Sequence, residues 1–325
     1  MRTALITGGA GFIGSHLSER LLNDGWQVYV MDNLSTGRIV NLDNVRGHEN
    51  LQIVLEGIEN EQKLREMVDR ADVVFHLAAA VGVKLIVDDP VRTIETNIYG
   101  TELLLKHCAV KGKKLVLAST SEVYGKGARE EFAEVDDLVF GPTTRSRWSY
   151  GCSKAIDEFL ALAYRQSRDL PVLILRFFNT VGPRQIGRYG MVVPRFVRQA
   201  LDGGPITVYG DGQQIRCFAH VNDVVGAVCS LTDTPTAEGQ IFNVGSDRPV
   251  TIERLAETVR DLVNPDAHIT HIPYEEAYGP GFEDIRRRVP CVDKLRETIG
   301  YVPDTSLERI IRDMSDFLES ADSES

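Results

Sequence analysis

Through the first half of the chain, short apolar runs alternate with longer stretches in which apolar residues recur every three or four positions. Residues 3–7, 27–31, 51–55, 72–77, 114–118 and 172–177 are predicted strands. They are rich in Val, Leu and Ile, which suits a parallel sheet covered on both faces. Between them, residues 13–23, 61–69, 90–110 and 149–167 are predicted helices. Strand, helix and strand at this spacing predict an α/β fold built on a doubly wound parallel sheet. After about Asn179 the rhythm changes, and Pro183, Pro194, the 203–205 turn and the 210–212 turn punctuate shorter elements. Residues 1–180 are therefore read as the sheet domain. Residues 181–325 are read as a smaller C-terminal lobe over the carboxyl ends of the strands, partly interleaved with the first unit.

Composition narrows the class. A chain of 325 residues that is 43% hydrophobic and 26% charged has the make-up of a globular protein with a sizeable core. Its formal net charge of −11 would repel a phosphate backbone, so no nucleic-acid partner is expected. Small anionic ligands stay open, because a few arginines in a cleft suffice for them. Cys108, Cys152, Cys217, Cys229 and Cys291 are scattered and odd in number, which favours reduced thiols and a cytoplasmic location. His268 and His271 lack neighbours of metal-ligand spacing, so no metal is expected. No apolar run reaches membrane-spanning length and the N-terminus opens directly into a strand pattern, so neither a membrane partner nor a signal peptide is expected.

The stretch Ala-Leu-Ile-Thr-Gly-Gly-Ala-Gly-Phe-Ile-Gly opens a candidate site. Gly8 follows a predicted strand, Gly11 and Gly14 open a predicted helix through Phe12 and Ile13, and Asp32 closes the next strand. Gly8 can make a tight turn, Gly11 can let the backbone approach a pyrophosphate, and Gly14 can let helix and strand close up. The helix N-terminus then offers unsatisfied N–H groups to an anion. Asp32 can accept from both ribose hydroxyls and would repel a 2′-phosphate, which favours NAD over NADP. Arg38, six residues on, leaves NADP open.

A second candidate is Tyr150-Gly-Cys-Ser-Lys154, a Y-x-x-x-K that places both side chains on one helical face. With ten tyrosines in the chain such a pair is weak evidence alone. Its position adds weight, because it follows Ser119–Gly125, which closes a predicted strand at the sheet's carboxyl edge. A phenol near neutral pH must be acidified from its ordinary value near 10, and an adjacent ammonium favours the phenolate. Tyr150 can then take a proton from a sugar hydroxyl while Thr120 steadies the developing carbonyl.

The glycine spacing, G-x-x-G-x-x-G, and the segment from His76 to Gly82 resemble the extended short-chain dehydrogenase/reductases with a Rossmann fold, and the resemblance runs over nearly the whole chain. It implies NAD as cofactor, a nucleotide-sugar substrate, and a homodimer formed through the helices at 90–110 and 149–167. Around the coenzyme it implies Gly8, Gly11, Phe12, Ile13, Gly14, Asp32, Asn33, Gly37, Leu77, Ala78, Ala79, Asn97, Tyr150 and Lys154. The chain departs at residues 56–60, where many relatives carry an Asp that contacts the adenine and Gly57 stands here.

The same resemblance implies a UDP-sugar held by Asn179, Arg184, Val193, Tyr209, Arg216 and Arg288, with Lys84 as a further candidate, and catalysis by Thr120, Ser121, Glu122, Tyr150, Lys154 and Arg288. Dehydratases of the family place Asp-Glu after the threonine. Here Ser121-Glu122 stands in that place, which disfavours dehydration. Thr-Ser-Glu-Val-Tyr-Gly and Arg286-Arg-Arg-Val-Pro290 resemble the UDP-glucuronate decarboxylases. So do residues 141–154 and Arg216-Cys-Phe218, which resemble the bacterial decarboxylase domain of aminoarabinose lipid A modification. Glu122 is equally readable as an ion-pair partner. Residues 80–84 look closer to the UDP-sugar 4-epimerases, so decarboxylase and 4-epimerase are both carried forward, with a non-catalytic sensor of NAD or a sugar nucleotide as a remote third reading.

Overall fold

The computed structural model describes residues 1–80, 89–187, 191–278 and 285–323. Seven parallel strands form the main sheet: β1 (Thr3–Thr7), β2 (Gln27–Met31), β3 (Leu51–Val54), β4 (Val73–His76), β5 (Lys114–Thr120), β6 (Val172–Phe177) and β7 (Ile241–Val244). Their spatial order is β7-β6-β5-β4-β1-β2-β3. The order reverses between β1 and β4, which opens a crevice at their carboxyl ends.

The period of two expected of a strand sorts its side chains between two cores. Ala4 and Ile6 of β1 join one cluster with Val28, Val30, Val73 and Phe75, while Leu5 joins the other with Met31, Val74, Leu115 and Leu117. Each such aliphatic side chain stabilises the fold by about 2 kcal/mol when withdrawn from water. One face is covered by α1 (Phe12–Asn23) and the other by α2 (Glu61–Arg70), α3 (Pro90–Lys111) and α4 (Ser149–Arg168). Pro90 opens α3 behind the Asp89 cap, and Gly112, at φ +62°, closes it.

β7 is a strand that the hydrophobic pattern did not reveal. Its four residues are preceded by the apolar helix α6 (Val221–Asp233), which packs against α1, so residues 221–244 form one more helix-and-strand unit of the main sheet. A lone four-residue run between turns carries too little periodicity to be separated from the surrounding lobe.

The rest of the second half builds its own core. α5 (Val192–Leu201), α7 (Ile252–Val263) and the helix Leu307–Ser323 pack around the parallel pair Ile206–Tyr209 and Ile269–Ile272. A three-stranded ribbon runs Pro249–Thr251, Ile215–Cys217, Arg287–Arg288. Its register pairs Arg288 with Arg216, so the two side chains leave the ribbon on the same face.

Candidate active site

A cavity of about 670 Å³ lies between the sheet's carboxyl edge and the lobe. Its first end is made by the turn from β1 into α1. Gly8 adopts φ +73°, and a Cβ there would stand 2.7 Å from the backbone nitrogen of Ala78. A side chain at Gly14 would strike the carbonyl of Gly8, so this glycine sets how closely α1 approaches β1. The N-cap of α1 is Gly11, which has no side chain to satisfy the first helical N–H groups, and Phe12 and Ile13 line the cavity beside it. At the end of β2, Asp32 accepts from the backbone N–H groups of Ala10 (2.9 Å) and Leu34 (2.8 Å). Burial pushes its carboxyl up, and these two bonds pull it back. Gly37 packs against the same carboxylate. Asn33, Leu77, Ala78 and Ala79 line the cavity, whereas Asn97 braces it from behind: its Oδ1 accepts from Ala80 N at 2.9 Å and its Nδ2 donates to Ser153 Oγ at 3.3 Å. An uncapped helix start, a glycine cradle and an acidic strand end fit a dinucleotide with unphosphorylated ribose. Where Gly57 lacks a side chain, the carboxylate of Glu59 folds over its α-carbon and lines the cavity.

The second end is set by Thr120, the last residue of β5, and the single 3₁₀ turn Ser121–Tyr124 that follows. Gly151 lets α4 settle on that turn, since a Cβ there would lie 2.6 Å from the carbonyl of Glu122. The close approach brings the Tyr150 hydroxyl into a hydrogen bond with the Thr120 side chain. Burial raises the pKa of this phenol, the nearby charge of Glu122 raises it further, and the Thr120 bond lowers it.

Glu122 is gripped from both sides. Arg147 Nη1 lies 2.6 Å from its Oε2 and Arg288 Nη2 lies 2.7 Å from its Oε1. Burial opposes the charge, yet Arg288 and Arg147 together hold the carboxyl at about 2, so Glu122 is ionised throughout the neutral range. Glu122 is thus an ion-pair partner, and it lines the cavity beside Ser121 and Tyr150. Lys154 lines the cavity on the same helix as the phenol. Its Nζ donates to Asp157 Oδ2 at 2.8 Å in a fully buried pair.

The lobe contributes the third wall. Asn179, in the left-handed region at φ +30°, lines the cavity and donates from Nδ2 to Cys217 O at 2.9 Å. Val193 enters from the first turn of α5, and Arg216 and Arg288 enter from the ribbon. Tyr209 lines the same wall, with the Arg195 guanidinium stacked 3.9 Å over its ring. Arg184 is not brought to the cavity. It pairs with Glu19 of α1 and donates to Ser15 Oγ at 3.2 Å, with its backbone in the left-handed region at φ +70°. Lys84 lies outside the described residues.

Three participants escaped sequence reading: Arg147, Asp157 and Arg195. The first two carried a local signal, since they stand three residues before Tyr150 and three residues after Lys154 on the same helical register. Arg195 had none. Among the described residues, no group of three or more His, Cys, Asp or Glu side chains is placed to hold a metal, and no helix is long and apolar enough to cross a membrane.

Comparison with known proteins agrees with this geometry. Residues 5–314 match the family described as GDP-mannose 4,6 dehydratase. A UDP-N-acetyl-α-D-glucosaminuronate decarboxylase of Bacillus cytotoxicus is 43% identical over 314 residues, covering 96% of each chain. UDP-glucuronic acid decarboxylase 1 of Danio rerio is 34% identical over 309 residues, covering 94% of this chain and 69% of that one. Among solved structures, a UDP-glucuronic acid 4-epimerase from Bacillus cereus, in complex with UDP-glucuronic acid and NAD, superposes with a TM-score of 0.87 at 28% identity over 98% of this chain and 99% of that one. With its coenzyme-shaped crevice and this likeness along nearly its full length, the chain belongs to the GDP-mannose 4,6 dehydratase family of extended short-chain dehydrogenase/reductases.

Proposed function

We propose that this protein is an NAD-dependent UDP-hexuronate decarboxylase: it oxidises C4 of UDP-glucuronate, or of its 2-acetamido counterpart, and releases carbon dioxide. The observation that carries the reading is Glu122 held as an anion between Arg147 and Arg288 within the cavity that Tyr150 lines. Arg216 enters the same cavity from the same face of the ribbon, so the guanidinium groups of Arg147, Arg216 and Arg288 all line it. That set suits a substrate with a diphosphate and a carboxylate at C5.

Gly11, Phe12 and Ile13 would hold the pyrophosphate of NAD, and Asp32 its adenosine ribose. NAD supplies acceptance of the C4 hydride and its return. Tyr150 takes the proton of the 4-hydroxyl, and Thr120 hydrogen-bonds the same oxygen as it becomes a carbonyl. The sugar is then a β-keto acid. Its C5–carboxylate bond breaks with the electron pair drawn into the C4 carbonyl, and Arg288, which lines the same cavity, offers a positive charge to the enolate. Ser121 lines the pocket at the position where an elimination would need an acid, and Glu122, held at about 2, does not serve as one near neutral pH. Proton uptake at C5 gives the UDP-4-keto-pentose, and its reduction gives UDP-xylose. Lys154 would hold the coenzyme ribose while its charge favours the phenolate, and Tyr209 would position the base.

A UDP-sugar 4-epimerase is the second reading, favoured by the likeness to the Bacillus cereus enzyme. Incubation with UDP-glucuronate, its 2-acetamido analogue and UDP-glucose, followed by mass spectrometry, separates the two. Loss of one carbon dioxide supports the decarboxylase, and unchanged mass with inverted C4 supports the epimerase. Exposed apolar residues on α3 and α4, among them Val91, Ile94, Tyr99 and Phe159, support a homodimer, which light scattering tests. The five thiol cysteines support a cytoplasmic location.

A further inference from the structure

Asp157 has no part in the chemistry just described, yet it is wholly buried directly behind it. One turn beyond Lys154 on α4, its Oδ2 accepts from the lysine at 2.8 Å, with the two side chains 3% and 0% exposed. A buried carboxylate is costly to keep charged unless a cation and donors meet it. Lys154 and the Thr101 hydroxyl of α3 lie against it and act against the burial, which still leaves its carboxyl above the ordinary value.

The groups facing this pair come from every neighbouring element. β4 contributes His76, whose Nε2 meets Thr101 Oγ1 at 3.2 Å and whose Nδ1 meets Thr7 Oγ1 of β1 at 2.8 Å. Burial and the charge of Lys154 hold His76 down at about 3, so it is neutral and adds no charge near pH 7. On α4 itself, Glu158 is occupied by Arg176 of β6. Tyr150 is faced by Glu122 from the turn after β5 and by Arg288 from the ribbon. Among the described residues, the charge of Lys154 is therefore answered at contact distance by Asp157.

We infer that Asp157 is a positioning residue for the proton transfer: its carboxylate anchors the Lys154 ammonium and offsets its charge, weakening the lysine's pull on the Tyr150 proton. The inference rests on the role assigned to Tyr150. Its consequence is specific in sign. A neutral acceptor at 157 keeps the lysine in place but unmasks its charge, so the phenol becomes more acidic.

The test is an ultraviolet titration of tyrosinate absorbance on the full-length protein, with Tyr150→Phe as the reference in each background. In Asp157→Asn the ionisation of Tyr150 should move down by about one pH unit, and the acid limb of kcat/KM should move with it. Asp157→Ser is a second neutral variant and should behave alike. An ionisation that stays in place or moves up overturns the inference. So does loss of the fold in both variants, since Asn retains the acceptor that Lys154 needs. If Tyr150→Phe retains turnover, the role of Tyr150 fails. If it is silent and the neutral variants leave the ionisation and the acid limb unmoved, only the role of Asp157 fails.

Discussion

Arg288 and Glu122 stand 2.7 Å apart in the cavity although they come from opposite halves of the chain, and the second oxygen of the same carboxylate is taken by Arg147. Removing one guanidinium leaves a buried anion half paired, which costs about 3–5 kcal/mol. Arg147→Met should therefore lower the stability measured by urea unfolding by that amount. The double variant Arg147→Met/Glu122→Gln should cost less than the sum of the two single variants, because the two side chains share one buried ion pair.

Glu122 and His76 contribute separable parts of the pH dependence of stability, beside the part from His16, which burial holds at about 4. Glu122 falls from an ordinary 4.5 to about 2 in the folded state, so its contribution is complete above pH 4.5 and is lost as pH falls towards 2. The shift corresponds to about 3 kcal/mol, and Glu122→Gln should remove that part of the acid slope. His76 falls from 6.5 to about 3, and the unfolded state takes up a proton first. Stability should therefore decline from pH 6.5 downward by on the order of 4 kcal/mol, and His76→Gln should flatten the upper part of the slope. Unfolding free energies measured from pH 7 to 3 check both.

Asp32 is expected to choose the coenzyme. Asp32→Asn should weaken NAD binding about tenfold, or about 1.4 kcal/mol, while improving NADP relative to NAD. Calorimetric titration with both dinucleotides gives the ratio, and an unchanged preference would place the selection elsewhere.

Glu59 lies where an adenine-facing side chain at Gly57 is missing. A carboxylate accepts from the amino group of adenine and repels the carbonyl of hypoxanthine. Wild-type protein should bind NAD more tightly than nicotinamide hypoxanthine dinucleotide, and Glu59→Ala should bind the two about equally.

Most of the frame was legible because it is written in local periodicity. Ala4, Leu5 and Ile6 face alternate cores as a doubly covered strand requires, and the spacing of Tyr150 and Lys154 survives as one helical face. What escaped depends on contacts between distant segments. Only the family resemblance put Glu122 and Arg288 in one site, since a turn and a ribbon strand so far apart share no spacing, and their common partner Arg147 was missed. Arg184 resembled a substrate ligand until the fold brought Glu19 of α1 beside it. The strand Ile241–Val244 belongs to the main sheet only because α6 carries the chain back over α1.

Turnover of UDP-glucuronate in deuterated water, read by mass spectrometry and NMR, addresses the chemistry at C4 and C5 together. Oxidation at C4 followed by carboxylate loss predicts a pentose product with one deuterium at C5 and none at C4, with Tyr150→Phe silent yet still binding NAD. A hexuronate of unchanged mass with C4 inverted, or a Tyr150→Phe variant that still releases carbon dioxide, would contradict it.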